Sequence, residues 1–291
     1  MKTRTVELIV TPPEPHFVGD GFRVHNFIPS GVRLDMKRMN PFVLLDYASK
    51  YYFPPTDTPR GVGVHPHKGI ETVTIAYKGK VAHNDSHGGG GIIGEGDVQW
   101  MTAASGILHK EYHEEEWSRQ GGDFQMVQLW VNLSKKNKVS APKYQAIKNA
   151  EIPRYRLDDN QGEIEVIAGE FKEVFGVAFT FTPIHLLNVK LNKGAKAEFS
   201  FPANYNTALL VVEGSISING TDEAPTDNFV LMTNDGEHFE IEAKDDTIVL
   251  VLSGKTIDEP IAARGPFVMN CKEELDQAYA DYREGKFGEL E

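Results

Sequence analysis

Apolar and polar positions alternate along this chain in short runs. From Glu71 to Tyr77, Val73, Ile75 and Tyr77 fall on one side, and Thr72 and Thr74 on the other. A period of two marks a strand with one buried face. Similar stretches run from Thr5 to Val10, Phe124 to Val131, Val174 to Phe181, Ala208 to Val212, Phe229 to Met232 and Thr247 to Leu252. Clusters of Gly, Asn, Asp and Pro separate them and supply turns. Many short strands with frequent turns predict an all-β sandwich or barrel rather than an α/β fold. One segment has the helical period instead. Leu275, Ala278, Tyr279 and Tyr282 form a stripe at i, i+3, i+4 and i+7. Asn270 and Glu273 predict a capping-box start, and Gly285 a C-terminal stop. This helix is expected to pack on the outside of a sheet.

The stretch from Ser134 to Lys148 shows neither period and carries Pro142. It reads as a linker between two halves. Its lysines, Lys135, Lys136, Lys138, Lys143 and Lys148, read as a solvated surface, because no aromatic platform for nucleic acid interleaves them. A length of 291 residues also predicts about two domains. The expected division is 1–138 and 139–291. The net charge of −12 repels phosphate and disfavours direct nucleic-acid binding. One cysteine, Cys271, cannot form an internal disulfide and reads as a small hydrophobe. No apolar run is long enough for a transmembrane helix, and the N-terminus lacks the apolar region of a signal peptide. A cytoplasmic monomer without membrane contact is the expectation.

Two motifs carry candidate chemistry. In the first, His65 and His67 stand at i and i+2, followed by Glu71. Alternate residues of a strand share a side, so the two imidazoles can aim at one point. Val73 and Ile75 share their parity, which places that point on the barrel interior if the strand runs straight. In the second, His109 and Glu111 again stand at i and i+2, after Gly96-Asp-Val-Gln-Trp-Met-Thr. Two such pairs on neighbouring strands would bring three imidazoles and one carboxylate to a metal. Four protein ligands leave two octahedral positions for water, oxygen or substrate, as a catalytic site requires.

HPHKGIETVT, GDVQWMTAASGILHKE, QLWVNL and GPFVMN, with the closing DYREGKFG segment, resemble the cupin fold and, more narrowly, the pirin family. The resemblance runs from residue 65 to 288. It implies a bicupin of two tandem jelly-roll barrels, with a metal, usually iron, in the N-terminal one. Copper, nickel, manganese, cobalt and zinc are the alternatives. Carried over position by position, the ligands are His65, His67, His109 and Glu111. The general cupin motif instead uses the glutamate four residues after the second histidine, here Glu71. The pirin pattern favours Glu111 and leaves Glu71 as a pocket residue; the residues themselves do not separate the two.

Aligning Gly214 on Gly79 puts Ser200 and Pro202 where His65 and His67 stand. His238 falls near the place of His109. The second barrel is therefore expected to hold no metal. Gly88 to Gly91 lacks a P-loop's Lys and reads as a flexible loop at the barrel mouth. His83 and His87 flank it and could line the pocket entrance, with surface histidines the commoner case. Glu114 to Glu116 reads as a solvated turn. Trp100 and Trp130 read as core residues beside the site, and Ser105 lacks the G-x-S-x-G context of a nucleophile.

The resemblance implies an oxygenase of the quercetin 2,3-dioxygenase type, in which O2 opens a flavonol ring. Glu111 or Glu71 would take the substrate's hydroxyl proton. The alternative the resemblance implies is a metal- or redox-dependent regulatory protein that binds a protein partner, as a transcription coregulator or a regulator of a metabolic enzyme. There the acidic balance favours a protein partner over DNA.

Overall fold

The computed structural model describes residues 2–31 and 33–291. Two seven-stranded antiparallel sheets pack against each other, and each is faced by a four-stranded sheet to make a cupin unit. In the first unit the large sheet runs, in spatial order, Lys143–Ile147, Val98–Thr102, Ile70–Lys78, Gly122–Asn132, Phe42–Phe53, Phe22–Ile28 and His16–Val18. Its small sheet runs Gly61–His67, Ile107–His113, Val81–Asp85 and Gly90–Ile93. The second unit repeats this order. Its large sheet is Val6–Val10, Phe229–Met232, Tyr205–Glu213, Thr247–Lys255, Ile184–Leu191, Gly162–Ala168 and Arg154–Arg156. Its small sheet is Lys196–Ser200, His238–Ala243, Ser215–Ile218 and Asp222–Pro225. The chain is an all-β bicupin.

The two halves exchange their first strands. Val6–Val10 pairs with Phe229–Met232 in the second unit, and Lys143–Ile147 pairs with Val98–Thr102 in the first. Sheet membership therefore differs from a single cut between 138 and 139. The expected linker contains an edge strand. Lys138 is also not solvated: it is fully buried. Its ammonium donates to Gly69 O, Asn132 Oδ1 and Val268 O at 2.7–2.8 Å. Three acceptors match three N–H donors, which is how a buried amine avoids an unpaired polar group.

One apolar cluster joins the two large sheets. Phe42, Leu45, Val73, Ile75, Val127 and Leu129 of the first meet Leu186, Ala208, Leu210, Phe229, Leu250 and Leu252 of the second. Phe27 stacks on Phe229 at 5.2 Å. Tyr47 donates to Asp227 Oδ1 and Tyr77 to Asn188 Oδ1, each at 2.7 Å. Val73, Ile75 and Tyr77 thus face the other unit, not the interior of their own.

The helix spans Lys272–Arg283 and ends before Gly285, whose φ is +73°. Its start differs from the expected capping box. Cys271 is the N-cap and makes no side-chain cap, while Glu274 accepts from the Asn270 backbone N–H. Leu275 and Ala278 pack with Phe267, Met269 and Phe287; Tyr282 stays exposed. Of the strand expected from Val174 to Phe181, only Val174–Phe175 forms. Among the described residues, no helix is long and apolar enough to cross a membrane.

Candidate metal centre

The small sheet of the first unit brings the two histidine motifs together. Gly61–His67 and Ile107–His113 are antiparallel neighbours, with His109 opposite His65 and Ile107 opposite His67. Along Ile107–His113 burial alternates, and His109 and Glu111 share the buried side. The pairing slips between His109 and Glu111, where Glu111 stands opposite Val62. Such a bulge re-aims side chains and is common beside active sites. Here it lies at Gly63 and Val64, and Gly63 O is 2.8 Å from His65 Nδ1.

The rings of His65, His67 and His109 have centroids 4.2–5.0 Å apart. One donor atom from each lies within 4.8 Å of the others. His67 Nδ1 is 3.3 Å from Pro266 O. His109 Nδ1 faces His83 Nδ1 at 3.4 Å, while its Nε2 is buried without a partner. A buried ring nitrogen with no hydrogen bond is costly unless something else binds it. Burial, then the neighbouring imidazole of His65, pushes His67 down to about 3. Burial, then the neighbouring imidazoles of His67, His65 and His83, hold His109 well below the ordinary histidine range. Both rings are therefore neutral with a lone pair available. Imidazoles of this kind, with a carboxylate nearby, fit a first-row divalent metal.

Glu111 lies beside this triad. Its Oε1 accepts from Gln99 Nε2 at 3.1 Å, and Thr74 Oγ1 is 3.4 Å away. Burial, the largest influence, would raise its carboxyl. The facing His83, with His65 and His67, outweighs burial and holds it below the usual range. Glu111 also forms a second metal-competent group with His83 and His109.

His83 is not a surface histidine. It is 1% exposed. Its ring stacks on Tyr144 at 5.3 Å and lies between Asp85, 3.7 Å from Nε2, and Glu111, 3.9 Å from Nδ1. The signal was present: Val81, His83 and Asp85 alternate on the buried side of Val81–Asp85. His87 is exposed as expected. The glycine run is a hairpin turn pinned by Asp85 Oδ1, which accepts from His87 N and Gly89 N. Glu114 is not a free turn residue; it caps the helix Glu115–Gln120, accepting from Glu116 N and Trp117 N.

Glu71 is not brought to the histidines. The strand that holds His65 and His67 ends at His67, and the next begins at Ile70, just after Gly69, whose φ is +85°. Parity is reset across that break. Glu71 then shares the face of Val73 and Ile75, where its Oε1 accepts from Thr102 at 2.7 Å. Trp100 lies on the same face, in the core between the units, rather than beside the site. Burial raises the Glu71 carboxyl to about 7. Trp130 does adjoin the site, 4.9 Å from His67.

A cavity of about 390 Å³ opens on the triad. Phe22, Val62, Met126, Trp130 and Pro266 line it with His65, His67, Glu111, Gln128 and Asp46. A few polar groups in an apolar cleft are the usual make-up of a small-molecule site. A larger groove of about 780 Å³ lies on the second unit among Arg156, Glu163, Lys190, Glu213 and Asp246. Among the described residues, no metal-competent group lies there.

Comparison with known proteins gives consistent matches. The family model described as pirin matches residues 21–131, and that described as the pirin C-terminal cupin domain matches 186–288. A Pseudomonas aeruginosa protein named "Putative quercetin 2,3-dioxygenase" is 46% identical over 272 residues, 94% of each chain. A Mus musculus protein named pirin is 35% identical over 276 residues, 93% of this chain and 89% of that one. A crystal structure titled quercetin 2,3-dioxygenase from Acinetobacter baumannii superposes with a TM-score of 0.93 at 44% identity, covering 100% of both chains.

Proposed function

The chain belongs to the pirin family, and from that premise we propose that it is a mononuclear metal oxygenase of the quercetin 2,3-dioxygenase type. It uses O2 to open a flavonol ring and release carbon monoxide. His65, His67, His109 and Glu111 hold the ion, which in this reading is iron. The observation that carries the reading is the buried, unpartnered His109 Nε2 among two further imidazoles at the wall of an apolar cavity. The names of the relatives support the substrate class.

A divalent ion bound there supplies Lewis acidity that lowers the pKa of a hydroxyl it touches. The chain's own groups do the rest. The Glu111 carboxylate, ionised at neutral pH, takes that hydroxyl's proton, and Gln99 holds it in place. Phe22, Met126 and Trp130 bury the flat ring and keep water from it. Glu71, on the opposite face of its sheet, has no route to this proton.

Oxygen uptake with quercetin tests the reading. Iron-loaded protein should consume oxygen, and His65→Ala and His109→Ala should abolish it. Unchanged uptake in both variants, or none with any of the candidate metals, contradicts it.

A further inference from the structure

A row of polar side chains crosses the first large sheet beside the histidines. Gln99 stands opposite Thr74, Thr74 opposite Gln128, Gln128 opposite Asp46, and Asp46 opposite Asn26. Paired strands lie about 4.8 Å apart, so Asp46 is about 10 Å from Thr74. The row therefore has two ends. At one, Gln99 and Thr74 reach Glu111. At the other, Asp46 lines the same cavity.

The members near the metal satisfy one another. Gln99 donates to Glu111, and Thr74 donates to Gln128 Oε1 at 2.5 Å. Asp46 differs. Asn26 Nδ2 donates to its Oδ1 at 2.7 Å, and among the described residues it makes no other side-chain hydrogen bond. A carboxylate has about four acceptor sites, so capacity remains on the cavity side. Around the cavity between the two ends the wall is mostly apolar, with Phe22, Val62, Met126 and Trp130, and Gln128 is its one amide, its Oε1 taken by Thr74. Such a slot accepts a flat ring system with polar groups only at its ends.

We propose that Asp46 is the specificity-determining residue at the far end of this cavity. It accepts a hydrogen bond from a hydroxyl carried about 10 Å beyond the substrate oxygen at the metal end. The substrate class is then a flat aromatic with hydroxyls at both ends. An anionic group in the far position is repelled. This rests on the reading that the cavity binds a flavonol-like ring at the metal.

The test is direct binding without oxygen, followed by quenching of tryptophan fluorescence on ferrous-loaded protein. Three ligands are compared: 3-hydroxyflavone, quercetin, and a quercetin sulfated on its remote ring. Asp46→Leu should weaken quercetin about tenfold or more and leave 3-hydroxyflavone within about twofold. Asp46→Leu and the shape-conserving Asp46→Asn should both bind the sulfated ligand more tightly than the parent does. A merely structural role cannot produce that gain. Equal changes for all three ligands, or none, overturn the role of Asp46 while leaving the metal reading intact. Failure of the parent protein to bind any of the three overturns both.

Discussion

The two cupin units share one frame and differ in what fills it. In the first, His109 stands opposite His65; in the second, His238 stands opposite Ser200 at the matching place. The difference extends beyond the ligands. The row Gln99, Thr74, Gln128, Asp46 and Asn26 of the first unit has its counterpart in Val230, Leu209, Val251, Leu187 and Val166 of the second, in the same cross-strand order. All five belong to a closed apolar core with Phe199, Phe201 and Phe239. At the turn beside it, the fully buried Arg4 guanidinium donates to Phe201 O, Pro202 O, Tyr205 O, Gly236 O and Thr207 Oγ1. The unit with the metal-competent histidine group also has a polar row and a cavity. The other fills the same space with apolar side chains.

Transplanting one polar residue should break this comparison most strongly. Val251→Gln buries an amide among aliphatic neighbours with no partner. Desolvation and overpacking together predict a loss of about 3–5 kcal/mol. A fall of about 10 °C in Tm would register it. The mirror change, Gln128→Val, should cost far less in Tm.

A second difference lies on the opposite face of the same sheets. The one-residue correspondence puts Glu71 of the first unit where the second has Asn206. Glu71 titrates near 7 when folded and near 4.5 when free. A raised carboxyl means that the folded state holds a proton the unfolded state has released. Stability therefore falls as pH rises from about 4.5 to about 7, by about 3 kcal/mol, and stays lowered above that. Glu71→Gln should remove this loss. Urea midpoints at pH 5 and pH 8 would show the parent losing more than the variant between the two.

The smallest expected effect is at His83. Its contacts with His109 and Glu111 orient two of the proposed ligands. Replacing such a supporting residue typically costs 10–100-fold in metal affinity. His83→Gln should fall in that range by competition with a chromophoric chelator, with the fold retained.

Much of the site was legible because its chemistry is local. His65 with His67, and His109 with Glu111, are i and i+2 pairs, so each strand aims its own two proposed ligands. Glu71 was not legible in this way. Its parity depends on whether the chain runs straight through Gly69, and a positive φ there turns the residue to the other face. His83 was missed because the adjoining glycine run reads as loop and masks the alternation of Val81, His83 and Asp85. Strand Phe42–Phe53 showed no period for a different reason. One face packs on the second unit and the other on its own interior, so apolar residues occupy both. The exchange of Val6–Val10 and Lys143–Ile147 is written in no local pattern. An edge strand's sequence does not specify which of two equivalent sheets it joins.

One frame carries two interiors, and in the proposed function only the first binds metal. Metal content per chain tests it most directly. After reconstitution with ferrous ion and removal of the excess, elemental analysis should give one ion per chain, and none in the His65→Ala, His67→Ala, His109→Ala triple variant. Two ions per chain, or an ion retained by the triple variant, would contradict it.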